Sequence, residues 1–109
     1  MDKENIFVDI TSVKNLPTGT TKKFTVGNND ILLANVDGKI YAVDDMCTHE
    51  DSSLSLGCLK GELVSCTLHG SRFNVRTGEP MEEPATEALL RYQVRVQNDR
   101  IEISLSPLD

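Results

Sequence analysis

Two short clusters constrain this 109-residue chain more than anything else in it: Cys47-Thr48-His49 and, after the sixteen residues 50–65, Cys66-Thr67-Leu68-His69. They contain both histidines and two of the three cysteines. Each joins a soft thiolate to a borderline imidazole, and four such donors in two tight pairs make a metal site. Whatever the fold, it has to bring two separated loops to one point. The third cysteine, Cys58, leaves an odd count, and the opening Met-Asp-Lys-Glu-Asn-Ile-Phe lacks the basic start and apolar stretch of a secretion signal. A disulfide framework is therefore a poor reading, and Cys58 is expected to be a spare, partly buried thiol in a cytoplasmic protein.

The scaffold that presents these loops reads as all-β. Short alternating runs rich in β-branched residues recur at Ile6–Ile10, Phe24–Val26, Ile31–Val36, Lys39–Val43, Leu63–Ser65, Arg72–Val75, Tyr92–Val96 and Ile101–Leu105. Asp37-Gly38 between two such runs predicts a tight hairpin, because a type I′ turn needs positive φ at both central residues. Asn98-Asp99 is a second, weaker signal of the same kind. The stretch from Glu82 to Arg91 shows no 3.6-residue apolar stripe, and Pro80 and Pro84 interrupt it. A mass of 12.0 kDa suits one domain. The expected organisation is a strand scaffold, about 1–44 and 86–109, with a Gly-rich, loop-rich lobe, about 45–85, set into it.

Charge separates the two parts. The chain carries a net −6, and residues 44–87 hold nine acids against three bases, while the flanking stretches balance. Nucleic acid and anionic lipid demand basic surface, so both are excluded as partners, and no window approaches the ~18 apolar residues of a membrane span. A basic protein surface is the expected partner, docking on the acidic lobe.

Two Cys and two His could hold one zinc ion, but the familiar zinc spacings put Cys beside Cys and His beside His. Mixed pairs suit a dinuclear centre in which one iron takes both thiolates and the other both imidazoles. Here the residues resemble the Rieske [2Fe-2S] proteins, whose pattern is Cys-x-His, about fifteen to seventeen residues, then Cys-x-x-His. The likeness extends to Gly70, Phe73, Thr77-Gly78 and a proline-bearing third loop at Pro84-Ala85, and it covers nearly the whole chain. It implies an antiparallel β-sandwich or barrel-like scaffold with an inserted cluster-binding lobe. By the same likeness Cys47 and Cys66 hold one iron and His49 and His69 the other, with Ser71, Phe73 and Pro84 as residues that tune or cover the cluster.

The ligand set has a physical consequence. Two ferric ions, two sulfides and two thiolates carry no net charge, whereas four thiolates leave the centre negative. An added electron is repelled less by the neutral centre, which lifts the potential to roughly −150 to +300 mV against about −400 mV for four-cysteine plant-type clusters. Each histidine also keeps a second ring nitrogen that can titrate.

Departures from the family pattern separate its branches. Where the respiratory Rieske subunits have two disulfide-linked cysteines, this chain has Ser52 and Leu68; where they have a Tyr that bonds a ligand sulfur, it has Phe73. The resemblance is thus to the small soluble ferredoxin components of ring-hydroxylating oxygenases, with Ser71 matching the respiratory branch and Glu50 standing where oxygenase ferredoxins commonly have Gly. The function it implies is one-electron carriage from a reductase to a terminal enzyme, without catalysis by this chain. A small subunit of an assimilatory nitrite reductase is a close rival, and a structural zinc module serving as an interaction domain is a rival of another class.

Overall fold

In the computed structural model, residues 7–26, 29–45, 54, 58–65, 72–81 and 89–108 are described. Their strands run β1 (Phe7–Ser12), β2 (Thr21–Val26), β3 (Asn29–Val36), β4 (Lys39–Asp44), β5 (Leu59–Lys60), β6 (Leu63–Ser65), β7 (Arg72–Asn74), β8 (Arg91–Gln97) and β9 (Arg100–Leu108). Six form one antiparallel sheet in the order β1-β9-β8-β4-β3-β2, and β5-β6-β7 form a second. The eight runs that alternation marks are all strands, with ends displaced by a few residues. β5 was not foreseen, and neither was a one-turn 3-10 helix at Val13–Asn15, whose start is capped by the Ser12 hydroxyl accepting from the Lys14 amide at 3.3 Å.

Both foreseen hairpins are present. Asp37 (φ 53°) and Gly38 (φ 93°) turn β3 into β4, and Asn98 (φ 52°) and Asp99 (φ 64°) turn β8 into β9. Asn35 locks the first of these: its side-chain carbonyl accepts from the Gly38 amide at 2.8 Å, and its amide donates to the Leu16 carbonyl at 2.8 Å.

Two apolar cores lie on opposite faces of β3. Its run Ile31-Leu32-Leu33-Ala34 is buried throughout, as a strand covered on both sides must be. Ile31 and Leu33 pack with Leu16, Ala42, Tyr92, Ile101 and Ile103, so residues of β3, β4, β8 and β9 share one core and the large sheet must curl, barrel-fashion, to bring them together. Leu32 and Ala34 face the other way and, with Val43, receive Leu54, Val64, Phe73, Val75 and Leu89. That second core joins the small sheet to the large one. Residues that flank the two Cys–His stretches in sequence, Leu54 and Phe73, belong to it.

Candidate metal centre

Cys47, His49, Cys66, His69, Ser71 and Pro84 lie outside the described residues. What the structure does define is the ground from which their segments leave and to which they return.

The first segment starts where β4 ends. Asp45 is buried (1% exposed), its amide donates to the Asp30 carbonyl at 3.0 Å, and its own carbonyl accepts from the Leu54 amide at 2.6 Å. Leu54 is fully buried in the inter-sheet core, where such a side chain contributes about 1.5–3 kcal/mol. Residues 46–53 thus begin and end at one backbone hydrogen bond. The second segment joins β6 to β7, where Ser65 and Arg72 are cross-strand partners. Its ends stand side by side. A third stretch, 82–88, is flanked by Met81, whose amide donates to the Arg72 carbonyl at 2.7 Å, and by Leu89, whose amide donates to the Gly78 carbonyl at 2.7 Å.

Phe73 is the one expected tuning residue that is described. It is fully buried, pairs with Val64 across the β6–β7 ladder and bridges to Pro80. Cys58 differs from expectation: it is a free thiol but an exposed one. It precedes the two-residue strand β5, at the margin of the small sheet, where no apolar layer covers it.

Two further residues matter that sequence reasoning passed over or treated as ordinary. The Tyr92 hydroxyl donates to Asp44 Oδ1 at 2.7 Å, and the Asp44 amide donates to the Leu90 carbonyl at 3.0 Å. Burial and then the neighbouring Asp44 carboxylate push the Tyr92 hydroxyl well above the usual tyrosine range. These partners are 48 positions apart, and nothing local in either stretch signals the pairing. Gly78 reads as a simple turn glycine, yet its positive φ of 81° combines with a close approach to Leu89.

The electrostatics of the lobe are uneven. Glu62 is paired with Arg76 at 3.2 Å, Asp44 accepts from Tyr92, and Asp45 is buried. Among the described residues, no three His, Cys, Asp or Glu side chains converge as a metal site.

Two thiolates and two imidazoles, on two segments each closed at its base, fit a dinuclear iron–sulfur centre held between paired loops. A small antiparallel β protein with such a donor set has the make-up of an iron–sulfur protein. The chain belongs to the Rieske [2Fe-2S] domain family, whose model matches residues 6–96. It is 35% identical over 100 residues to the ferredoxin component of a naphthalene 1,2-dioxygenase system from Pseudomonas aeruginosa, covering 92% of this chain and 96% of that one. It is 38% identical over 96 residues to the ferredoxin component of biphenyl 2,3-dioxygenase from Rhodococcus jostii strain RHA1, covering 88% and 90%. A chain in the solved complex of reduced oxygenase and oxidized ferredoxin in carbazole 1,9a-dioxygenase superposes with a TM-score of 0.90 at 30% identity, covering 96% of this chain and 98% of that one. The cofactor is accordingly a Rieske-type [2Fe-2S] cluster, and the role is electron carriage rather than bond-making.

Proposed function

We propose that this chain shuttles single electrons from a reductase to the terminal oxygenase of a ring-hydroxylating system, with Cys47 and Cys66 on one iron and His49 and His69 on the other. The observation that carries the reading is the donor set itself, two Cys–His pairs on segments whose bases are closed by the Asp45–Leu54 bond and the Ser65–Arg72 pairing. When bound, the cluster supplies a site that takes up and returns one electron. The chain's part is to hold it rigidly. Leu54, Val64 and Phe73 keep water from the lobe's interior, and the second ring nitrogens of His49 and His69 can hold or release a proton. The working unit is one domain, with a scaffold of about 1–44 and 86–109 carrying a lobe of about 45–85.

The partner surface is the acidic lobe. Because Glu62 is paired with Arg76, Asp44 accepts from Tyr92 and Asp45 is buried, the charge assigned to a basic partner falls to the other six acids of the lobe, Glu50, Asp51, Glu79, Glu82, Glu83 and Glu87. An exposed free thiol at Cys58 suits a reducing compartment, the cytoplasm. No helix among the described residues is long and apolar enough to cross a membrane.

The relatives named above are dioxygenase ferredoxins, which favours this reading over a nitrite reductase subunit, and a [2Fe-2S] family match disfavours a zinc module. Iron and acid-labile sulfide analysis of the purified chain, followed by reduction with an oxygenase-system reductase, is the test. A colourless, zinc-loaded protein would overturn it.

A further inference from the structure

The described residues on either side of 82–88 are both fastened, and on one side the fastening includes a part-buried side-chain pair. On the Met81 side the tie goes to Arg72, the first described residue after the second Cys–His cluster. On the other side Leu89 is tied to Gly78, and Leu90 accepts from the amide of Asp44, three residues before Cys47. Third segment and first ligand segment therefore share one root, at Asp44. To the main-chain bond there Tyr92 adds a second, from its hydroxyl to the Asp44 carboxylate at 2.7 Å.

Tyr92 is only 4% exposed and its ring belongs to the core beneath the large sheet. Packing accounts for the ring. It does not account for the hydroxyl, because a phenylalanine would fill the same core without bringing a polar atom to be satisfied. A charged acceptor in a partly dry setting makes the bond stronger than a surface contact, and the residue it restrains is the last of β4.

We propose that Tyr92 is a positioning residue: through Asp44 its hydroxyl fixes the root of the Cys47–His49 segment against the 82–88 segment, and so governs how tightly the cluster is held. The inference rests on the assignment of Cys47, His49, Cys66 and His69 as ligands made above.

The experiment uses the full chain loaded with its cluster. Iron and sulfide analysis of the unmodified chain comes first, since its failure would count against the ligand assignment and not against Tyr92. Tyr92→Phe, Asp44→Ala, Asp44→Asn and the double variant Tyr92→Phe/Asp44→Ala are then compared. Two quantities are read: the rate at which an iron chelator bleaches the visible absorption, well below the melting temperature, and the EPR line shape after dithionite reduction.

Loss of a hydrogen bond to a charged acceptor predicts bleaching roughly tenfold faster in Tyr92→Phe, with broadened EPR lines. Asp44→Ala should match it, and the double variant should be no faster than either single one. Asp44→Asn keeps an acceptor oxygen and should stay near the unmodified rate. A lower melting temperature with unchanged bleaching and EPR would overturn the proposal by confining the bond to scaffold stability. Multiplying effects in the double variant would overturn it too. Should Tyr92→Phe fail to fold, the two Asp44 variants decide: a slower Asn variant supports the inference, and equal rates refute it.

Discussion

Gly78 and Leu89 approach so closely that a Cβ on Gly78 would stand 2.6 Å from the Leu89 carbonyl oxygen. That oxygen belongs to backbone, and the Leu89 amide is already committed to the Gly78 carbonyl at 2.7 Å, so the neighbour cannot swing aside as a flexible side chain could. The positive φ of 81° adds strain for any residue with a Cβ. Gly78→Ala should therefore cost about 2–4 kcal/mol, read as a fall in the denaturation midpoint. A loss below ~0.5 kcal/mol would mean that the two stretches separate readily.

The ligand assignment predicts an all-or-none pattern. Cys47→Ser, Cys66→Ser, His49→Ala and His69→Ala should each lose the cluster, because an iron with an open position is exposed to water and chelators. Cys58→Ser, at an exposed position outside the donor set, should keep it. Metal and sulfide stoichiometry of the five variants checks this, and a fully loaded member of the first four would refute the assignment.

If lobe charge steers docking, association with the oxygenase should slow steeply as salt shortens the Debye length from about 10 Å at 0.1 M to about 3 Å at 1 M. Reversing Glu82 and Glu83 together should lower the electron-transfer rate more than it moves the potential. Stopped-flow rates that are flat in ionic strength would count against the acidic surface.

Two substitutions address the potential. If the Ser71 hydroxyl bonds a cluster sulfide, as the family resemblance implies, it favours the state with one more negative charge; taking ~1 kcal/mol as the difference between redox states, Ser71→Ala should lower the potential by roughly 40 mV. Phe73→Tyr should raise it. Since Phe73 is fully buried, the added hydroxyl needs a partner, and a loss of about 1–3 kcal/mol with an unmoved potential would show that it is stranded in the apolar core. Voltammetry and a denaturation curve together settle both.

Alkaline pH provides a check on Tyr92 that is independent of the cluster. Its hydroxyl ionises later in the folded chain than in the unfolded one. Below about pH 10 both forms are protonated and the stabilisation is fully present; above it the unfolded chain sheds its proton first, and stability falls as pH rises toward the folded value. Melting temperatures from pH 8 to 11 should decline less steeply in Tyr92→Phe. An identical slope would mean that burial does not hold the proton on.

What was legible in the sequence was what is written locally. Asp37-Gly38 and Asn98-Asp99 announce their turns because few residues accept positive φ, and Ile31–Val36 announces a strand by its β-branched and apolar content, though its burial on both faces emerges only from the two cores that meet on it. The donor set is legible for a related reason, since two Cys–His pairs have few other uses. β5 escaped notice because two residues, Leu59 and Lys60, are too few to show a period. The Tyr92–Asp44 bond escaped because it depends on β4 and β8 being neighbours, a fact of topology with no trace in either segment.

The ladder between β1 and β9 also orders events during synthesis. Asp9 and Arg100, partners in a two-point ion pair on those strands, are 91 positions apart. Once β1 has left the ribosome, its partner strand follows only some 91 positions later. The hairpins β3–β4 and β8–β9 need no such delay, since each closes a loop of a few residues. A waiting strand is a target for the unpaired edges of other nascent chains, and β1 carries two guards against it: a charge at Asp9 and an irregular register between Asp9 and Thr11. Replacing Asp9 with an apolar residue would leave the finished fold with one exposed ion pair fewer and the unfinished one with a stickier leading strand.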